Sequence, residues 1–332
     1  MNIESNLILL LSSIIICAIF TRFAISFFTK LQILDIPNER RAHNHPTPSC
    51  GGVAIVLTFI IGLILYDIVI QPHNLYSSFL IPLIFAATIS LFDDIKPLQP
   101  ILRLIAHIAI SAFVIDTYLP PKTLFHNELP IYIDYLMTII ALTAFMNVYN
   151  FMDGIDGITS TQSIHLSLTI IILCLLHYNN IAKVDLILSL SIITLGSSMS
   201  FLYFNWNPAK IFLGDVGSIS LGLINGICLI LIAASEQRLF LSAVIASLYY
   251  IADGGGTILI RLAKKEKIWL PHLNHFFQQA NRKGMNHKTI CSKIALCNLM
   301  LMLLSIGALY YPIISFAFAL LTVMIILIHF SQ

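Results

Sequence analysis

The chain has 332 residues, of which 58% are apolar and 10% charged; 18 basic and 16 acidic side chains leave a formal net charge of +2. Soluble globular domains carry about 25% charged residues, so a water-soluble domain, a disordered chain and a nucleic-acid binder with a basic face are all excluded. Lipid is the solvent this composition fits, and the positions of its few charges carry the functional information.

The first apolar run covers 7–28. It has no basic stretch before it and no small-residue cleavage site after it, and it exceeds the roughly 7–15 residues of a signal-peptide core. It reads as a retained membrane span. A transmembrane helix needs about 20 mostly apolar residues. Further runs follow at 51–70, 78–92, 101–118, 134–151, 163–178, 184–204, 217–234, 239–260, 291–310 and 312–330. The expected fold is therefore an all-α polytopic membrane protein of about 11 spans, or 10 if one of the short runs 78–92 and 163–178 fails. Turn-like breaks such as Pro97-Leu98-Gln99-Pro100, Asn179-Asn180 and Asn205-Trp206-Asn207-Pro208 separate the runs. Period-2 alternation is missing, which argues against a β-barrel, and helices satisfy their own backbone groups in hydrocarbon. Six cysteines occur, four of them (Cys17, Cys174, Cys228, Cys297) inside apolar runs and none in a C-x-x-C pair. Neither a disulfide framework nor a zinc ribbon is expected.

The polar clusters fall between these runs. After the first span, Arg40-Arg41-Ala-His43-Asn-His45-Pro46-Thr47-Pro48 sets cations beside a rigid turn, which suits phosphate and equally suits a simple membrane anchor. Asp93-Asp94 closes the third span; an ordinary helix terminus would carry the same pair, but two adjacent carboxylates also suit Mg²⁺, which takes one or two carboxylates plus substrate phosphates. The fifth span ends in Asn147-Val-Tyr-Asn150-Phe-Met-Asp153-Gly-Ile-Asp156-Gly, whose three-residue spacing puts Asn147, Asn150 and Asp153 on one helix face. A helix-stop signal explains one or two of these residues and not all of them. Phe212-Leu-Gly-Asp215-Val-Gly-Ser218 opens the eighth span, where a helix start offers unpaired N–H groups to an anion. Pro271-His272-Leu-Asn-His275 lies in the longest loop; the pair reads as phosphate-binding donors or as exposed histidines, and zinc would need two further ligands. His107, His165 and His177 lie within spans and are expected to bond between helices.

Basic residues near span ends set orientation. The loops after the odd-numbered spans gather fourteen of the 18 Lys and Arg residues, against Lys122, Lys183 and Arg238 on the other face and Arg22 inside the first span. The basic face is expected to be cytoplasmic, with the N-terminus periplasmic and the C-terminus cytoplasmic. Cytoplasmic loops then cover about 29–50, 92–100, 152–162, 205–216 and 261–290, within a single integral membrane catalytic domain of 1–332. All the polar clusters land on that one face, although none of their acidic, amide or imidazole residues entered the count. Carboxylates in a lipid-facing protein are costly and mark function; several at one boundary point to a metal-dependent site where a soluble substrate meets a lipid.

Together these motifs resemble the polyprenyl-phosphate N-acetylhexosamine-1-phosphate transferase family. The resemblance rests on Asp35-Ile-Pro-Asn-Glu-Arg-Arg-Ala-His43 with Pro46 to Gly52, on Asp93-Asp94 with Arg103-Leu104, and on the Asn147–Gly157 and Phe212–Ser218 blocks. Asp253, Arg261 and His272/His275 complete it. The single histidines of Pro-His-Leu-Asn-His are similar to the O-antigen initiating branch, and Gly254-Gly-Gly256 after Asp253 departs from the family pattern. The resemblance implies that undecaprenyl phosphate attacks a UDP-N-acetylhexosamine in a bacterial inner membrane, giving undecaprenyl-diphosphate-sugar and UMP. It implies Mg²⁺, with Mn²⁺ as the alternative, held by Asp215 and Asn150 beside the catalytic pair Asp93 and Asp94. It assigns substrate binding to Asn147, Asp153, Asp156, Phe212, His272, His275, Arg41 and Thr47. A homodimer is compatible with it; a nucleic-acid partner is not. A phosphate monoester with a second pKa of about 6 is mostly dianionic at neutral pH, so positioning and charge neutralisation should outweigh proton abstraction. The rival from another class is a secondary transporter, and within enzymes a CDP-alcohol phosphotransferase, whose motif continues differently from Ile158-Thr-Ser.

Overall fold

The computed structural model describes residues 3–36, 46–70, 76–119, 123–267 and 272–332. Its helices are, in chain order, α1 (Ile3–Lys30), α2 (Gly52–Leu65), α3 (Leu80–Ile95), α4 (Pro100–Tyr118), α5 (Ile131–Phe151), α6 (Ile158–Leu176) and α7 (Val184–Asn205). They continue with α8 (Gly214–Ser235), α9 (Gln237–Tyr250), α10 (Gly256–Ala263), α11 (Phe276–Arg282), α12 (His287–Gly307) and α13 (Pro312–Ser331). The π turn Ile251–Gly255 joins α9 and α10 into one rod, and a two-residue antiparallel pair, β1 (Leu34–Asp35) with β2 (Thr47–Pro48), follows α1. Ten helical stretches among the described residues are long and apolar enough to cross a membrane. The expected span at 51–70 is the exception: its regular helix stops at Leu65 and loosens into the π turn Tyr66–Ile70. Asp67 in that turn accepts the N–H of Ser77 at 2.7 Å, which ties the end of α2 to the stretch that leads into α3. The short runs at 78–92 and 163–178 instead lengthen, to Ser77–Ile95 and Ile158–Leu176.

Burial ranks the helices. The whole apolar window of α8 is buried, against 28% for α1 and for α13, so α8 is the axis and the terminal helices form the rim. α8 packs on α2, α3, α5 and α9. Bare backbone makes this possible: a Cβ on Gly52 would lie 2.2 Å from the Gly217 Cα, and one on Gly222 2.9 Å from the Tyr149 Cβ. Small residues serve helix packing in lipid, where apolar side chains gain nothing by leaving the tails. Hydroxyls inside the bundle bond back to their own helices, as Thr58 does to the Ala54 carbonyl (2.7 Å) and Thr194 to Leu190 (2.8 Å), which spares the apolar packing. The rim exposes Ile8, Leu11, Ile15 and Ile19 on α1 and Ile313, Phe318 and Met324 on α13. A soluble monomer does not carry apolar patches of that extent; the chain is a multi-pass membrane protein.

The two ends of the bundle differ. At one end carboxylates tie down short turns: Asp134 takes the N–H groups of Leu124 (3.0 Å) and Phe125 (2.9 Å), and Glu236 meets Arg238 at 3.3 Å. At the other end lie the C-termini of α3, α5 and α7, the N-termini of α4, α8 and α12, the β pair and α11. The interhelical contacts His107–Asn147 (3.2 Å), His165 to the Ala246 carbonyl (2.9 Å) and His177–Glu236 (3.7 Å) tie α4 to α5, α6 to α9 and the α6 end to the α8 end.

Candidate active site

The first four N–H groups of a helix have no partner within it. At α8, whose start lies inside the protein, another helix supplies the acceptor. Asp94 at the end of α3 takes the Asp215 N–H on Oδ1 (2.9 Å) and the Val216 N–H on Oδ2 (3.1 Å). The carboxylate therefore sits on the positive end of the helix. Gly214 has φ +74°, and a Cβ there would come within 2.7 Å of Asp94 Oδ2. The Gly-Asp sequence is what lets Asp94 approach.

That cap fixes Asp215, the first acidic residue of α8. Its Oδ1 accepts from Asn150 Nδ2 (2.7 Å), and its Oδ2 lies 3.5 Å from the Arg103 guanidinium. Asn150 Nδ2 also reaches Ser218 Oγ (3.0 Å), which leaves Asn150 Oδ1 without a hydrogen bond among the described residues. Arg103 in turn pairs with Asp93 at 2.5 Å, and Asp93 accepts the Leu98 N–H at 2.6 Å. Asp93 is thus buried and engaged on both oxygens.

The turn between α5 and α6 carries two further carboxylates with opposite fates. Desolvation pushes Asp153 up to about 7, with the like charges of Asp94 and Asp156 adding to it and the Thr159 hydroxyl opposing. Asp156 is also desolvated, but hydrogen bonds outweigh that and hold it below the usual carboxylate range. Its partners are His287 at the start of α12 (3.4 Å), Asn207 Nδ2 (2.7 Å) and the Ala209 N–H (3.2 Å). Asp156 thereby ties α12 and the turn after α7 to the α5–α6 turn.

Asp253, buried at 0% exposure in the π turn between α9 and α10, repeats the arrangement of Asp94. It accepts the N–H groups of Phe276 (2.9 Å) and Phe277 (3.3 Å) and the Tyr249 hydroxyl (3.2 Å), so it anchors the start of α11. His275 is 2% exposed, 3.4 Å from Asp253 and stacked on the Phe277 ring. His272 lies against His275, with ring centroids 4.8 Å apart. Burial, then the neighbouring His275 and Arg261, pushes His272 down to about 4, so its ring is neutral at pH 7. Arg261 is committed to Glu266 at 2.8 Å.

Several of these groups border a cavity of about 800 Å³. Asp94, Asn150, Asp153, Asp156, Phe212 and Asp215 all line it. Other residues singled out from the sequence sit outside the lining. Asn147 turns to His107 and the Thr143 carbonyl (2.7 Å), Asp93 lies behind Arg103, and Thr47 is buried in β2 opposite Asp35. His272 and His275 lie beyond the base of α11, and Arg41 falls outside the described residues. The structure adds lining residues that no motif marked, His287 from α12 and Gln278, Asn281 and Arg282 from α11; Asp35 of β1, which opens the Asp35–His43 motif, lines the cavity as well. Of these added residues Gln278, Asn281 and Arg282 alone carry a sequence signal, their i, i+3, i+4 helical spacing, on a stretch too short to stand out in its loop. Among the described residues no three His, Cys, Asp or Glu side chains form a ready metal cage. A hard cation that takes most of its ligands from phosphate and water needs fewer, and Asp215 with the spare Asn150 oxygen meets that smaller demand. All six cysteines are free and buried.

A family model described as glycosyl transferase family 4 matches residues 76–233, the stretch from the start of the α3 span through most of α8. A protein of Bacillus subtilis (strain 168), "Probable undecaprenyl-phosphate N-acetylglucosaminyl 1-phosphate transferase", is 28% identical over 288 residues, covering 84% of this chain and 77% of that protein. "Phospho-N-acetylmuramoyl-pentapeptide-transferase" of Buchnera aphidicola subsp. Acyrthosiphon pisum (strain APS) is 26% identical over 336 residues, covering 90% and 91%. The protein of that name from Vesicomyosocius okutanii subsp. Calyptogena okutanii (strain HA) is 29% identical over 273 residues, covering 71% and 73%.

Proposed function

We propose, on the premise that this chain is a glycosyl transferase family 4 homologue, that it transfers an N-acetylhexosamine 1-phosphate from a UDP-sugar to undecaprenyl phosphate. The products are undecaprenyl-diphosphate-sugar and UMP. The reaction runs at the cytoplasmic face of a bacterial inner membrane, with the whole chain acting as one catalytic unit. It starts a cell-envelope glycan such as O-antigen. One observation carries this reading: carboxylates and an amide from α3, α5, the α5–α6 turn and α8 line a single cavity at one end of a membrane bundle.

The residues divide the work. Asp94 locks the start of α8, and Asn150 and Arg103 hold the Asp215 carboxylate in place. Asp215 and Asn150 Oδ1 fit Mg²⁺ by donor chemistry, oxygen ligands for a hard ion that keeps several positions for phosphate and water. Held by these two residues, such an ion would supply charge neutralisation for a diphosphate substrate. Phe212 offers the cavity a flat face suited to uracil. The lipid phosphate, already dianionic at neutral pH, needs no base. Asp93 and Asp94 then act by positioning, a role supported by the hydrogen bonds that each of their oxygens accepts. Asp93→Asn should accordingly keep a large part of the activity at pH 8; its complete loss there would restore a base or nucleophile.

The test is to incubate the purified chain with undecaprenyl phosphate, Mg²⁺ and a panel of UDP-N-acetylhexosamines and to measure UMP. Release with at least one sugar, matched by lipid-linked product, supports the proposal. Sugar flux into vesicles without UMP would favour the transporter, whose ionisable groups belong near the bilayer midplane rather than at helix ends.

A further inference from the structure

The cavity holds an electrostatic mismatch. Asp35, Asp94, Asp153, Asp156 and Asp215 all line it, yet the substrates proposed for it are phosphate anions. Among the described lining residues Arg282 is the one arginine or lysine. The nearby Arg103 is already divided between Asp93 and Asp215, and Arg261 is paired with Glu266. Arg282 is exposed and has no ion-pair or hydrogen-bond partner among the described residues. Arg282 thus shares the cavity lining with five carboxylates and closes on none of them.

Its placement is built in. Asp253 anchors the first N–H groups of α11, and the buried Phe277 (0% exposed) and Ala280 (2%) seat that helix against the bundle. Gln278, Asn281 and Arg282, at i, i+3 and i+4, then share the cavity side. Arginine suits the task because its planar fork meets two phosphate oxygens at once, whereas lysine offers a point charge.

We propose that Arg282 is a substrate-binding residue that grips a phosphate of the molecule in this cavity. The inference rests on the transferase reading for the identity of that phosphate, which comes from the nucleotide diphosphate or from the polyprenyl phosphate.

The full chain, purified in detergent, is compared with Arg282→Gln and Arg282→Lys. Binding of UDP and of uridine is measured directly, and KM is measured separately for UDP-sugar and polyprenyl phosphate. If Arg282 holds the nucleotide diphosphate, Arg282→Gln weakens UDP at least 10-fold and leaves uridine within 2-fold, and Arg282→Lys recovers part of the loss. If it holds the lipid phosphate, KM for polyprenyl phosphate rises at least 10-fold while UDP binding stays. A merely structural role would weaken UDP and uridine alike. That result, or no change beyond 2-fold in any measure, overturns the proposal. A wild-type chain that binds UDP through Arg282 but releases no UMP overturns the transferase reading and leaves this assignment standing; a wild type that binds neither UDP nor polyprenyl phosphate overturns both.

Discussion

Asp94 and Asp215 are neighbours with different duties. Asp94 spends both oxygens on the backbone at the start of α8, while the Asp215 carboxylate is held by side chains, Asn150 at 2.7 Å and Arg103 at 3.5 Å. Asp94→Ala should therefore lower stability by about 1–2 kcal/mol, the range for losing a helix cap and its dipole contact; an unchanged melting temperature in detergent would contradict that role. Asp153 carries a pH signature. Its carboxyl is raised from about 4 in the unfolded chain to about 7 in the folded one. Between those values the folded protein holds the proton more tightly, so stability falls as pH rises from about 4 to about 7. Melting of the ligand-free chain should show that fall, and Asp153→Asn should flatten it. Adjacency and short spacing made the Asp93-Asp94 pair, the Asn150–Asp156 block and Asp215 readable from the sequence. His287 was not readable, because its partner Asp156 lies 131 residues away and a lone histidine carries no local signal. The histidine pair shows the converse: its spacing is visible in the sequence, but the burial of His275 at the start of α11 is not.

Among the elements, α8 shows why glycine matters more than apolarity. Every apolar run announces a helix, but it is the close contact of Gly52 with Gly217 that lets α2 approach the axis that holds Asp215. Gly52→Ala forces backbone against backbone and should cost about 1–3 kcal/mol. Gly255 has ordinary helical angles and nothing within 4 Å of where a Cβ would stand. Gly255→Ala should be neutral or stabilise by about 0.5–1 kcal/mol. Equal effects of the two substitutions on melting would contradict this packing. Glycines look alike in a sequence, so nothing there separated this contact from the open Gly254-Gly-Gly256 run. The same limit hid α11: seven residues with one apolar side are too short to stand out in a basic loop, and Asp253 holds its start from 23 residues upstream. The shortened α2 had a readable sign, the acidic Asp67 inside an apolar run.

At the scale of the molecule, hydropathy alone disclosed the helical bundle, because lipid leaves the backbone few choices. The Lys and Arg bias disclosed which helix ends belong together; the hydrogen bonds from Asp94, Asn150 and Asp156 join those ends. What no span-by-span reading provided was the depth of α8 and the cavity at its start. The bias also predicts sidedness. Because all six native cysteines are buried, a single cysteine placed at the exposed Lys265 should be labelled only from the cytoplasm, and one at the exposed Asn127 only from outside; the reverse pattern would invert the orientation. Asp215 is the residue on which the proposed phosphoryl transfer turns. The direct measurement follows UMP and lipid-linked sugar together in liposomes carrying undecaprenyl phosphate, Mg²⁺ and a UDP-N-acetylhexosamine, for wild type and for Asp215→Asn. Wild type should give equal amounts of both products, and the variant a loss of at least about 100-fold, the scale for removing a preorganised charge-stabilising group. An Asp215→Asn protein turning over near the wild-type rate, or a wild type that forms no lipid-linked sugar, would contradict it.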